Sequence, residues 1–211
     1  MATGSSSRGP SPAADAAREA RLYLITGARR DLGAFLEAAV RGGVDLVQVR
    51  EKGLPDGELL PVLEEARAVT HRLDVPLVVN DRPDLAVLAG ADFVHVGQDD
   101  LPLSAVRRFG IPAGLSTHSR EEVDRAEADY IAVGPVFATP TKPGRPAVGH
   151  DLVRYAALHA PSPWFAIGGI DRTNVADVVE AGARRIAVVR AIGDADDPEA
   201  AARELRDVLP A

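Results

Sequence analysis

Only two lysines occur in the chain, Lys52 and Lys142, and each stands among residues that suit an anion. Lys52 closes the run Val47-Gln-Val-Arg-Glu-Lys. In a strand, successive side chains alternate between the two faces. Val47 and Val49 then share one face, and Leu46, Gln48, Arg50 and Lys52 share the other. Two inward cations are costly unless an anion meets them. Arg50 offers a planar fork to phosphate oxygens, and Lys52 a compact charge. The pair reads as a phosphate or diphosphate clamp; the alternative is two structural ion pairs with acids on neighbouring strands. Further on, Asp81 follows Val79-Asn80, and Asp100 follows His95-Val-Gly-Gln-Asp. Two hard carboxylates beside a basic clamp suit Mg²⁺ held against phosphate oxygens. Asp99 is an alternative to Asp100, because register alone does not separate neighbours.

Other polar residues fall at comparable places. Ser116 is placed to hydrogen-bond a ligand. His95 reads as a buried, hydrogen-bonded structural residue. His118 invites a general-base assignment, although a histidine near a helix start is more often structural. Residues 134–149 carry four prolines and form the longest connection in the chain. Long ordered connections tend to be lids or binding loops. Thr139, Thr141 and Lys142 give this one two hydroxyls and a cation, and it is expected to close over an anionic ligand. Gly168 and Gly169 would let an anion approach the main chain closely.

Regular elements must position these groups. Strands are predicted at Leu22–Thr26, Asp45–Arg50, Leu77–Asn80, Phe93–Gly97, Ala113–Thr117, Tyr130–Gly134, Phe165–Gly168 and Ile186–Arg190. Helices are predicted near 31–41, 56–73, 84–89, 104–109, 119–127, 150–159, 173–181 and 197–208. Asp31, Ser119, Asp171 and Asp197 stand where helix caps are expected, and Gly42, Gly90, Gly110 and Gly182 where helices end. Strict alternation implies parallel strands with helical crossovers. The count of eight, without an early Gly-rich dinucleotide fingerprint, favours a single (βα)8 TIM barrel over an open doubly wound sheet. Chemistry then belongs at the C-terminal ends of the strands.

The 211 residues suit one domain. A net charge of -7 without a basic stripe argues against nucleic acid. The absence of cysteine excludes disulfides and thiolate chemistry. No apolar run suits a secretory signal or a membrane span, so the cytoplasm is the expected location. Residues 1–15 read by composition as a disordered tail, with the barrel domain over 16–211.

Seven blocks together resemble thiamine phosphate synthases. They are Val47-Gln-Val-Arg-Glu-Lys52, Val79-Asn-Asp-Arg-Pro-Asp84, His95-Val-Gly-Gln-Asp-Asp-Leu-Pro102, Ser116-Thr-His-Ser119, the run Gly134 to Gly144, Ala166-Ile-Gly-Gly-Ile170 and Val188-Val-Arg-Ala-Ile192. The resemblance runs from about residue 21 to the end. It implies joining of 4-amino-5-hydroxymethyl-2-methylpyrimidine diphosphate to 4-methyl-5-(2-hydroxyethyl)thiazole phosphate, releasing diphosphate. It implies that Arg50, Lys52 and Asn80 hold the pyrimidine diphosphate, that Gln48 and Ser116 face the pyrimidine, and that Asp81 and Asp100 hold Mg²⁺. It places Thr139, Thr141 and Lys142 over the phosphates, with the backbone of Gly169, Val189 and Arg190 around the thiazole phosphate. Arg50, Lys52, Lys142 and Ser116 would be the catalytic groups. The thiazole nitrogen has no proton to lose, so a site rich in cations and poor in bases agrees with this chemistry. A homo-oligomer is compatible with such a barrel. The rivals are a thiazole tautomerase of the same superfamily, a barrel acting on sugar phosphates, and a non-catalytic sensor of a thiamine precursor.

Overall fold

Eight short apolar runs, each too short to be a helix, are separated by amphipathic stretches. In the computed structural model, which describes residues 17–139 and 146–210, those runs close into one parallel barrel in chain order, β1 to β8. The strands are β1 Leu22–Thr26, β2 Leu46–Val49, β3 Leu77–Asn80, β4 Phe93–Val96, β5 Ala113–Thr117, β6 Tyr130–Val133, β7 Trp164–Ile167 and β8 Ile186–Val188. The barrel shuts where Leu22 pairs with Ile186 and Leu24 with Val188. The helices are α1 Leu32–Arg41, α2 Asp56–Arg72, α3 Pro83–Leu88, α4 Leu103–Val106, α5 Arg120–Asp124, α6 Gly149–His159, α7 Val175–Glu180, α8 Arg190–Gly193 and α9 Pro198–Val208. A 3₁₀ turn, Arg107–Phe109, extends α4. None of the helices among the described residues is long and apolar enough to cross a membrane.

The alternation of side chains separates two apolar layers. Val47, Val49, Val79, Val94, Val96 and Val188 face the helices in the main core. Tyr23, Leu46, Val78, Phe93, Tyr130 and Phe165 fill the barrel interior. Ala17 and Ala20, on and just after a helical turn at 17–19, are buried in the same interior cluster. The valines of β2 therefore point outward, as their face requires, and Gln48 points in.

Several local expectations are revised. Ser119 and Asp197 do cap their helices, accepting from the N–H of Glu122 at 3.2 Å and of Ala200 at 3.0 Å. Asp31 makes no cap bond and pairs with Arg29 at 2.7 Å. Asp171 accepts instead from the Thr173 N–H and hydroxyl, and α7 starts after Asn174. At the end of α1 the left-handed residue is Gly43, φ 109°, while Gly42 is right-handed at φ −76°. A β-carbon on Gly42 would lie 2.3 Å from the Glu199 carbonyl oxygen, so close packing of α9 explains that glycine. Strand β8 ends at Val188, and Arg190 opens the one-turn helix α8 instead of closing the strand.

Gly134, just after β6, is a second packing glycine. An added β-carbon would sit 2.0 Å from the Ile167 carbonyl oxygen, which is backbone and has little freedom to yield. Gly134→Ala should therefore destabilise the fold by about 3 kcal/mol, read as a lower midpoint in denaturant with an unchanged slope.

Candidate functional site

The barrel's C-terminal mouth holds a cavity of about 320 Å³. Its floor is the polar top layer of the interior, with Gln48 from β2, His95 from β4 and Ser116 from β5. Asn80, at the last position of β3, lines one wall together with Arg50. Thr139, Gly169, Val189 and Arg190 line the opposite side. Eight of the ligand-binding residues expected from the sequence, Gln48, Arg50, Asn80, Ser116, Thr139, Gly169, Val189 and Arg190, therefore meet around one space. Thr141 and Lys142 lie outside the described residues, within 140–145, and the expected loop closure rests on that segment.

Arg50 lies one residue past β2, and its N–H still pairs with the Thr26 carbonyl at 2.7 Å. Among the described residues its guanidinium forms neither a hydrogen bond nor an ion pair. A partly buried cation that faces a cavity and is paired with no carboxylate among the described residues is poised for an anion brought by a ligand. Lys52 behaves differently. Its ammonium is 2.8 Å from the Asp81 carboxylate, so for this residue the structural ion pair is present. Glu51 shapes the turn between the two cations, accepting from the N–H groups of Ala28 at 3.2 Å, Lys52 at 3.0 Å and Gly53 at 2.9 Å. Those backbone donors, Gly53 foremost, hold its carboxyl below the ordinary glutamate range. The sequence reading passed over Glu51; its place between Arg50 and Lys52, on the opposite parity, was the available signal.

Asp81 follows β3 in the left-handed conformation, φ 62°, which aspartate and asparagine tolerate better than most residues. Burial pushes its carboxyl above the ordinary aspartate range; the Lys52 ammonium opposes this and the adjoining Asp100 carboxylate adds to it. Asp100 also accepts from the Gly97 N–H at 2.8 Å. The two acids thus converge beside Lys52, and none of these three is among the residues lining the cavity that Arg50 faces. No group of three or more acidic or histidine side chains able to hold a metal occurs among the described residues. Two carboxylates are enough for Mg²⁺ completed by water and phosphate oxygens. Mutual repulsion of the acids is a reason for a cation to bind there.

Opposite the cations, the β7–α7 turn is backbone-rich. Gly168 and Gly169 have φ of 106° and 66°. Added β-carbons would lie 2.4 Å from Pro135 and 2.8 Å from Phe137. The segment after β6 packs on this turn through Val136 N–H to Ile167 O at 2.8 Å and Phe137 N–H to Gly168 O at 2.9 Å. Asn174 locks the other side, donating to the Gly169 carbonyl at 2.9 Å and accepting from the Asp171 N–H at 2.9 Å. His118 lines the cavity and donates from Nδ1 to the Gly134 carbonyl at 2.5 Å.

Fold and cavity define a (βα)8 barrel whose cationic wall faces a glycine turn, a mouth suited to phosphorylated small molecules. The family model described as thiamine monophosphate synthase matches residues 22–192, and the chain belongs to that family. It is 52% identical to the thiamine-phosphate synthase of Acidothermus cellulolyticus, over 92% of this chain and 96% of that one. It is 51% identical to the thiamine-phosphate synthase of Mycobacterium sp. (strain JLS), over 94% of this chain and 96% of that one. Among solved structures, thiamine phosphate pyrophosphorylase from Pyrococcus furiosus superposes with a TM-score of 0.81 at 30% identity, covering 91% of this chain and 96% of that one.

Proposed function

We propose that the chain joins 4-amino-5-hydroxymethyl-2-methylpyrimidine diphosphate to 4-methyl-5-(2-hydroxyethyl)thiazole phosphate, giving thiamine phosphate and diphosphate. The observation that carries this reading is Arg50, a cation facing the cavity without a protein counter-ion among the described residues, in a chain of this family. Arg50, Lys52 and Asn80 hold the diphosphate. Gln48 and Ser116 face the pyrimidine. The main chain at Gly169, Val189 and Arg190 receives the thiazole phosphate, and Thr139, Thr141 and Lys142 cover the phosphates.

Asp81 and Asp100 would hold Mg²⁺, which when bound neutralises charge on the diphosphate. The methylene–oxygen bond breaks with its electron pair going to diphosphate. Arg50, Lys52 and Lys142 stabilise the charge developing there. The aminopyrimidine donates electrons to the methylene, and the thiazole nitrogen supplies the lone pair for the new C–N bond. No proton leaves the nucleophile, so His118 has no base to be in this step. The apolar wall, Ile25, Ile167 and Ile170, limits access of water to the reactive carbon.

His118 at the cavity is the one residue that favours the tautomerase reading. The two readings separate when each substrate is supplied alone. A tautomerase would convert the thiazole phosphate by itself. The synthase should form no product until the pyrimidine diphosphate is added, and turnover of the thiazole phosphate alone would displace this proposal.

A further inference from the structure

Beneath the cavity floor lies an unbroken chain of buried polar groups. Gln48 Nε2 donates to the Tyr23 hydroxyl. The Tyr23 and Tyr130 hydroxyls are 2.9 Å apart. The Tyr130 hydroxyl is 3.1 Å from His95 Nδ1, and His95 Nε2 is 2.9 Å from Ser116 Oγ. Both tyrosines are 0% exposed, Gln48 1%, and His95 and Ser116 6% each. Only the two ends and His95 reach the cavity. Room for this chain is made on β5: a β-carbon on Gly114 would lie 2.1 Å from the Tyr130 ring and 2.6 Å from His95 Nδ1. Buried phenols need partners, but a packed aromatic layer of phenylalanines would have needed none.

The first link sets the sense of all the others. The Gln48 amide nitrogen is a donor only. Tyr23 accepts from it and donates its own O–H to the Tyr130 oxygen. Tyr130 then donates to His95 Nδ1, which must be bare. The neutral imidazole carries its proton on Nε2 and donates it to Ser116 Oγ. That oxygen has an acceptor site filled, so its hydrogen turns toward the cavity. Burial holds both phenols far above the ordinary tyrosine range, so both keep their protons. Reversing the first link would reverse every link and leave Ser116 an acceptor.

We propose that Tyr23 and Tyr130 are positioning residues: through His95 they present Ser116 to the cavity as a hydrogen-bond donor, while Gln48 presents its carbonyl oxygen as an acceptor. Resting on the function proposed above, this pattern matches an aminopyrimidine, whose ring nitrogen accepts and whose amino group donates. It selects against a ring carrying a carbonyl in place of the amino group, which would set acceptor against acceptor at Gln48.

The test uses the full chain with ¹⁵N-labelled histidine and two-bond ¹H–¹⁵N correlation spectra. The His95 ring is identified by its loss in His95→Gln. Without any substrate, wild type should show the Nε2–H tautomer. An Nδ1–H ring, or a doubly protonated one at neutral pH, would overturn the proposal. Tyr130→Phe should release that fixed tautomer and lower kcat/KM for the pyrimidine diphosphate about tenfold, the effect of one buried hydrogen bond. The KM for the thiazole phosphate should stay within about twofold. An unchanged tautomer and unchanged kinetics in this variant would also overturn it. If Tyr130→Phe does not fold, Tyr23→Phe breaks the chain one link earlier and should change the pyrimidine kinetics in the same direction; wild-type kinetics there would count against the proposal. A wild-type protein with the Nε2–H tautomer but no turnover would sink the proposed reaction and leave the relay standing.

Discussion

Arg50→Ala should lower kcat/KM for the pyrimidine diphosphate by about a hundredfold or more, the scale of removing one preorganised donor from developing charge. The fold should be unaffected. Arg50 makes no ion pair or side-chain hydrogen bond among the described residues, so its loss leaves no partner stranded. Taking a partly buried, uncompensated cation out of the free protein should leave the unfolding midpoint level or slightly higher. Lys52→Ala should also reduce turnover severely, for a partly different reason. Its ammonium is committed to Asp81 at 2.8 Å, so this change also removes the charge that opposes the upward push on Asp81. The measurements are steady-state kinetics with both substrates and thermal unfolding without them. Wild-type turnover in Arg50→Ala and Lys52→Ala would remove the clamp.

Asp81→Asn and Asp100→Asn should raise the Mg²⁺ concentration giving half-maximal rate, by roughly tenfold or more for each carboxylate charge lost. Excess Mg²⁺ should restore part of the rate. Asparagine keeps the left-handed backbone at Asp81 accessible, and at Asp100 it keeps an oxygen for the Gly97 N–H. A raised folded-state pKa means that the native protein holds its proton to higher pH than the unfolded chain. Ionising Asp81 therefore costs native stability as pH rises through that window. Removing the Asp100 charge eases this cost, so Asp100→Asn should be no less stable than wild type at neutral pH without metal. Rate against Mg²⁺ for the three proteins is the measurement. An unchanged Mg²⁺ dependence in both variants, or full wild-type activity in excess chelator, would take these acids out of a metal site.

The barrel was legible because strands buried on both faces read as short apolar runs, and their period of two assigns each residue a face. Val47 and Val49 against Gln48 and Arg50 is the clearest case. Element ends were less legible. Val188-Val189-Arg190 is locally indistinguishable from the end of a strand, yet pairing with β1 ends at Leu24–Val188 and Arg190 opens helix α8, although β1 itself continues to Thr26. The cavity was largely legible too, since polar residues at strand ends must converge in a closed barrel. Its second layer was not. Alternation places Tyr23 and Tyr130 inward, but their meeting depends on Gly114 from a third strand. The Lys52–Asp81 pair is of the same kind. Both residues were singled out, yet which cation an aspartate selects depends on side-chain reach across strands, not on spacing along the chain.

The most direct measurement supplies the purified chain with the pyrimidine diphosphate, the thiazole phosphate and Mg²⁺, and quantifies both products over time. The account predicts thiamine phosphate and diphosphate appearing in equal amounts, with neither formed when one substrate is withheld. Diphosphate released without thiamine phosphate, or no product in a protein whose native fold is verified by its unfolding transition, would contradict it.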